Sequence, residues 1–198
     1  MAGYYPMIET IPAAQDSFLG DYPYEAVETA ALRDGTPVLI RPIRPDDAPR
    51  LQEGFRRLSP RSIYLRFLEA YKELSDRQAR EFSCLDYVNR MALVAEIEED
   101  GESHLIGVAR YAMIPGAEEG LAEAAVVVVD EYQGRGLGKL LMRHLVQYAR
   151  QHGVHTFLAT IHVSNAVILH FIRSSGLPME KKIVEPGVWE VRVRLNQD

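Results

Sequence analysis

The chain holds one cysteine, Cys84, in 198 residues. It therefore forms no internal disulfide and no cysteine-based metal cluster. No apolar run approaches the roughly 18 residues that span a bilayer. The start, Met1-Ala2-Gly3-Tyr4-Tyr5, has neither a basic n-region nor an apolar h-region. A soluble cytoplasmic protein without a membrane partner is the expectation. Acids outnumber bases, 28 Asp+Glu against 22 Lys+Arg, for a net charge of -6, which argues against nucleic acid as the main partner. Five of the six histidines fall between His144 and His170 with no carboxylate near them in sequence, so no metal site is expected. The most telling absence is local. Residues 132–179 contain no Asp or Glu, yet carry Arg135, Lys139, Arg143, Arg150 and Arg173. A positive field in an acidic protein points to an anionic ligand there.

What is present in that stretch is a glycine loop, Gln133-Gly134-Arg135-Gly136-Leu137-Gly138. It lies between an apolar run, Ala124 to Val129, and an amphipathic run, Leu137 to Ala149. A strand, a glycine turn and a helix in that order make a socket for phosphate, because the first helical turn offers unpaired N–H groups with a partial positive charge. Two nucleotide readings fail on named residues. A Walker loop needs a glycine where Gln133 stands and a hydroxyl where Leu140 stands. A dinucleotide fingerprint needs a third glycine where Lys139 stands, and an acidic ribose partner that the acid-free stretch lacks.

Periodicity supplies the frame. Residues 1–35 read as an N-terminal arm, broken by Pro6, Pro12 and Pro23, followed by a domain over 36–198. The aromatics Tyr4, Tyr5, Phe18, Tyr22 and Tyr24 in this arm can dock on the domain or on a second subunit, so a homodimer is one expected assembly. Val38 to Arg41 predicts a strand, and Asp46 or Asp47 caps a helix carrying Leu51, Phe55 and Leu58. Ser59-Pro60 ends it, and Ile63, Tyr64 and Phe67 suggest a second short helix. Ser75 and Gln78 form a capping-box pattern for a helix to about Cys84. Ala92 to Ile97 and Leu105 to Met113 predict a hairpin, and Glu123 to Val129 the next strand. A long helix to about Gln151 follows the loop, then a strand over Thr156 to Val163. Ser164 or Asn165 caps a helix ending at Gly176, before a final strand pair turning at Pro186-Gly187. The expected fold is α/β of the α+β type, a mixed and mostly antiparallel central sheet flanked by helices.

Gln133, Gly136 and Gly138 match the pattern [Q/R]-x-x-G-x-[G/A], and Asn165 opens the helix after the next strand. By these residues and the order of elements, the chain resembles a GNAT N-acetyltransferase over roughly Thr36 to Leu195. Val38 to Asp47, Leu58 to Phe67 and Gly107 to Tyr111 look like the catalytic domain of bacterial protein lysine acetyltransferases, which modify acyl-CoA synthetases and related proteins. The resemblance implies acetyl-CoA as co-substrate. Backbone groups of Val127, Val128 and Val129 would hold the pantetheine arm, and Gln133, Gly134, Arg135, Gly136, Leu137, Gly138 and Lys139 would wrap the pyrophosphate. Asn165 would bond the coenzyme near its cysteamine portion. Many family members place a tyrosine acid seven residues after the asparagine; here that position is Ile172.

The chemistry asks for a base. A lysine amine with a pKa near 10.4 is neutral in only about one molecule in 2,500 at pH 7, roughly 4.6 kcal/mol of barrier. Glu123 is the candidate general base. It precedes the apolar run, shares a pleat face with Ala125, Val127 and Val129, and falls where the protein-acetylating relatives place their glutamate. Apolar neighbours would raise its pKa toward the working range. The expected acceptor is a primary amine, a protein lysine such as one on an acyl-CoA synthetase. A small amine (polyamine, amino acid or antibiotic) and a non-catalytic acyl-CoA-binding module are the alternatives.

Overall fold

The structure, a computed structural model, describes residues 20–196; Tyr4, Tyr5 and Phe18 of the expected arm lie outside them. Among the described residues, eight strands form one sheet, flanked by five α-helices. In chain order the strands are β1 (Glu28–Ala31), β2 (Pro37–Pro42), β3 (Arg90–Glu99), β4 (Glu102–Met113), β5 (Leu121–Val128), β6 (Thr156–His162), β7 (Met179–Glu185) and β8 (Val188–Arg194). The helices are α1 (Ala48–Arg56), α2 (Pro60–Phe67), α3 (Asp76–Ser83), α4 (Leu137–Gln151) and α5 (Ala166–Ser174). The spatial order is β1-β2-β3-β4-β5-β6-β8-β7. Every neighbouring pair is antiparallel except β5 and β6, which run parallel. This is the mixed, mostly antiparallel sheet that the periodicity predicts, with one strand added. Glu28–Ala31, inside the expected arm, pairs with β2 at the sheet edge.

Pleat alternation sorts the side chains into two layers. On one face, Ala109 and Tyr111 lie in the main core with Leu137, Leu141 and Leu145 of α4. Gly107 lets α4 come close: a Cβ there would lie 3.0 Å from Leu141 Cδ1. Helix α5 covers the same face further along, where Leu169 and Ile172 pack on Ile161 and Val191. Helices α1 to α3 cover the opposite face around Phe55, Ile63, Leu74, Ala79 and Phe82.

Two local signals act differently from their sequence reading. Asp47 stands at the N-cap of α1 but makes no side-chain cap bond to it. Its carboxylate instead accepts two hydrogen bonds from the buried Arg41 guanidinium, at 2.7 and 2.8 Å, and one from the Arg44 N–H at 2.8 Å. A buried guanidinium needs a bidentate partner more than an exposed helix start needs a cap. Ser59-Pro60 does separate α1 from α2, and it also opens α2. Ser59 Oγ accepts from the Ser62 N–H, and Pro60 occupies the first turn, where its missing N–H costs nothing. The Ser75–Gln78 capping box forms as predicted.

Candidate active site

The parallel seam builds the site. β5 and β6 share three pairs, Leu121 with Thr156, Ala122 with Phe157 and Glu123 with Leu158. Beyond Glu123 the strands part, while β5 stays paired to β4 as far as Val128. The β6-facing edge of β5 from Ala124 to Val128 is therefore open. Both strands point their C-terminal ends at this notch. The glycine loop and α4 follow β5, and Asn165 and α5 follow β6, so two helix N-termini flank one opening.

The glycine loop is a set of free donors. Gly134 has φ of 75° and Gly136, the N-cap of α4, φ of 90°. These left-handed conformations suit glycine. Among the described residues no acceptor is bonded to the N–H groups of Gly134 through Lys139; the first helical bond runs from Leu140 N–H to the Gly136 carbonyl, 3.1 Å. A Cβ on Gly138 would lie 3.7 Å from Val128, so the first turn of α4 rests directly on the end of β5. Gln133 steadies the loop: its Nε2 donates to the Val128 carbonyl at 3.0 Å and to Ser62 Oγ at 3.2 Å. Arg135 leans away from the loop, stacked over Tyr132 and paired with Asp34 at 3.1 Å, while its carbonyl accepts from the Arg33 N–H. Leu137 is buried in the core, so it can offer a ligand only its backbone. Lys139 is exposed.

Asp130 joins this loop to the opposite layer. Its carboxylate accepts from the Ser59 N–H at 3.0 Å, Ser59 Oγ at 2.7 Å and Ser62 Oγ at 3.0 Å. Burial alone would raise its pKa, but these bonds hold it below the ordinary aspartate value. The start of α2 is thus tied to the turn that carries the glycine loop. Spacing along the chain gave no sign of this, because the partners are about 70 residues apart.

Glu123 lies at the point where β5 and β6 part, on the face turned to α1–α3. Burial raises its pKa, and the Arg66 and Arg110 cations oppose part of that rise. Next to it on the same face is a pocket of about 670 Å³ including its mouth, with walls from Leu51, Phe55, Phe67, Val108, Ala125 and Val127. Val127 and Val129 both line this pocket, Val129 being buried. Asn165 caps α5, its Oδ1 accepting from the Ile168 N–H at 3.3 Å. Ile172 is buried in the α5 core, so nothing at that position presents an acid to the notch. Among the described residues no cluster of three His, Cys, Asp or Glu side chains could hold a metal, and no helix is long and apolar enough to cross a membrane.

A family model, the acetyltransferase (GNAT) family, matches residues 56–177, a span running from the end of α1 past α5. The chain belongs to this family. It is 45% identical over 123 residues to acetyltransferase PA5475 of Pseudomonas aeruginosa, covering 62% of this chain and 65% of that protein. It is 31% identical over 134 residues to acetyltransferase Pat of Mycolicibacterium smegmatis, covering 68% of this chain and 39% of that one. The matched stretch thus spans less than two thirds of either relative. Among solved structures, the GNAT domain of S. lividans PAT superposes with a TM-score of 0.78 at 31% identity, over 87% of this chain and 98% of that domain. The fold is thus a GNAT fold, as the motif predicts.

Proposed function

We propose that this GNAT domain transfers an acetyl group from acetyl-CoA to a primary amine by direct attack, with Glu123 as general base. The observation that carries this reading is the run of unbonded N–H groups from Gly134 to Lys139, opening onto a notch that leads along β5 to Glu123. Six backbone donors at a helix N-terminus suit a pyrophosphate. The open edge of β5, near Val127 and Val128, would hold the pantetheine arm, while Val129, whose N–H and carbonyl are bonded to Ile106 and Tyr132, would only close its end. The Asn165 side-chain amide would meet the coenzyme from the β6 side.

In the step itself, the amine nitrogen bonds to the thioester carbonyl carbon while Glu123 accepts a proton from the amine, directly or through water. The oxyanion would need a backbone N–H on the open edge of β5. That of Val129 is already given to the Ile106 carbonyl at 2.9 Å, and alternation turns that of Val127 to β4 as well. Val126 or Val128, rather than the odd-numbered residues, would therefore supply it. The carbon–sulfur bond then breaks, and coenzyme A leaves as a thiolate that water protonates, since Ile172 supplies no acid. The raised pKa of Glu123 suits a base, bringing it closer to neutral pH than an exposed glutamate. A protein lysine, the acceptor implied by the likeness to bacterial protein lysine acetyltransferases, and a small amine enter this step alike. They differ in what surrounds the amine.

Thiol release from acetyl-CoA by the purified protein, against a panel of amines and an acyl-CoA synthetase, tests the reading. Turnover with at least one acceptor, lost in E123Q, is expected. Coenzyme binding with no thiol release against any acceptor would favour a non-catalytic module.

A further inference from the structure

Among the described residues Arg110 is a buried cation with no ion pair: Glu123, the acid that faces it, acts on it only through space. It sits mid-way along β4 and is 6% exposed. Its guanidinium lies 4.3 Å over the Phe82 ring, but it makes no hydrogen bond or ion pair among the described residues, and its Nε is enclosed and unpartnered. Burial first, then the Arg66 and Arg90 cations, press its pKa down to about 9, with Glu123 opposing part of that fall. A buried polar group without a partner calls for an explanation, and a buried charge more so.

Its position supplies one. Arg110 pairs across the ladder with Ala125, and Ala112 pairs with Glu123. Arg110 and Glu123 are therefore diagonal neighbours on one sheet face, about 7–8 Å apart. Arg110 also lines the pocket, whose walls include Arg50, Arg66 and no acidic residue. Arg50 faces Asp47 and Glu96. The groups facing Arg110 are Arg66 from α2, Arg90 from β3, Phe82 from α3 and Glu123 from β5.

We propose that Arg110 binds a carboxylate carried by the acceptor itself, making the acceptor a small amino acid whose amine sits at Glu123 and whose carboxylate sits at Arg110. The proposal rests on the acetyl-transfer reading of this site. A guanidinium fork matches a carboxylate with two parallel bonds, and a short carbon spacer between amine and carboxylate fits the diagonal between the two residues. The same cation repels an acceptor that brings only positive charge, such as a polyamine or a lysine side chain with no acid beside it. The carboxylate is unchanged in the reaction; it orients the amine and neutralises Arg110.

The test compares each amino acid with its own carboxamide, which keeps the amine and removes the negative charge, with an internal-lysine peptide as a third arm. Thiol release from acetyl-CoA gives kcat/KM, and calorimetric titration of the same pair in the presence of coenzyme A reads the pairing without turnover. We expect the best amino acid to exceed its carboxamide by about 10- to 100-fold, the value of a hydrogen bond to a charged group. R110M should bring the acid down to the level of the carboxamide or below it, and R110K should restore part of the preference, with folding of both checked by thermal melting. Equal kcat/KM and equal affinity for acid and carboxamide in the wild type, a preference that survives R110M, or the peptide as best acceptor would each overturn the proposal. No thiol release with any amine would strike the acetyl-transfer reading instead, and the titration would still decide whether Arg110 selects a carboxylate.

Discussion

Arg41 and Arg110 stand on neighbouring parts of one sheet, and both are almost wholly buried, yet their surroundings are opposite. Arg41 on β2 donates to both Asp47 oxygens and to Glu96. Burial alone would lower its pKa, but those two acids raise it above the ordinary arginine value. Arg110 on β4 has an aromatic ring beneath it, other cations around it, and a depressed pKa. The first is a buried charge whose partners come from the fold, and it ties α1 to β2 and β3. The second makes no hydrogen bond or ion pair among the described residues, and the one acid facing it is the candidate base, Glu123. Charge satisfied inside the chain points to architecture, and charge left open toward a pocket points to a ligand.

The comparison can be broken or sharpened at several points. The largest effect is expected on the catalytic side. E123Q should lower kcat about 100- to 10,000-fold, the usual worth of a positioned base. The pH–rate profile carries a second signature. Because the pKa of Glu123 is raised, the acid limb of the wild type should lie above the ordinary glutamate value of 4.5 and vanish in the variant; a limb that persists unchanged would remove Glu123 from the role.

On the structural side, R41M strands Asp47 in the core and should cost about 3–5 kcal/mol in chemical denaturation, whereas R110M should leave the denaturation midpoint where it is or raise it. If both variants lose stability equally, the distinction between the two arginines fails. Acid adds a direction. Burial raises the pKa of Asp47, but the Arg41 and Arg44 bonds outweigh that and lower it. Its contribution to stability is thus complete above the ordinary aspartate value of 3.8 and is lost as pH falls through the depressed folded value. The acid-unfolding curve of wild type against D47N reads this.

G136V touches neither arginine. A β-branched residue at φ of 90° is strained by about 1–2 kcal/mol, so coenzyme A affinity, read by calorimetry, should fall about 5- to 30-fold. An unchanged affinity would move the pyrophosphate away from this loop. The smallest effect is expected at Arg57. Its pair with Glu131 at 2.5 Å is partly exposed, so R57A should cost no more than about 1 kcal/mol.

Most of the sheet and the loop were legible because both rest on local patterns. The alternation of β3, β4 and β5, the Gln133 to Gly138 spacing and the Asn165 cap all lie within single elements. What was hidden depends on residues far apart. β1 is four residues long, with three of them exposed, so no apolar alternation marks it. Asp47 looks like a helix cap until Arg41 is placed beside it. Arg110 interrupts the apolar run from Leu105 to Met113, but only the cross-strand register sets it diagonal to Glu123. The Asp130 link to Ser59 and Ser62 bridges the two layers and leaves no trace in spacing.

The parting of β5 from β6 has a consequence for how the molecule comes apart. Three parallel pairs are all the ladder that joins five strands on one side to three on the other. Subglobal opening should begin there, with β6, β7, β8 and α5 exchanging their amide hydrogens as one cooperative unit before β3 and β4 do. A coenzyme lying across the notch would act as a staple between the halves, so its addition should slow exchange in the three-strand unit more than in the five-strand one. The gap that admits the ligand would then be the joint that the ligand closes.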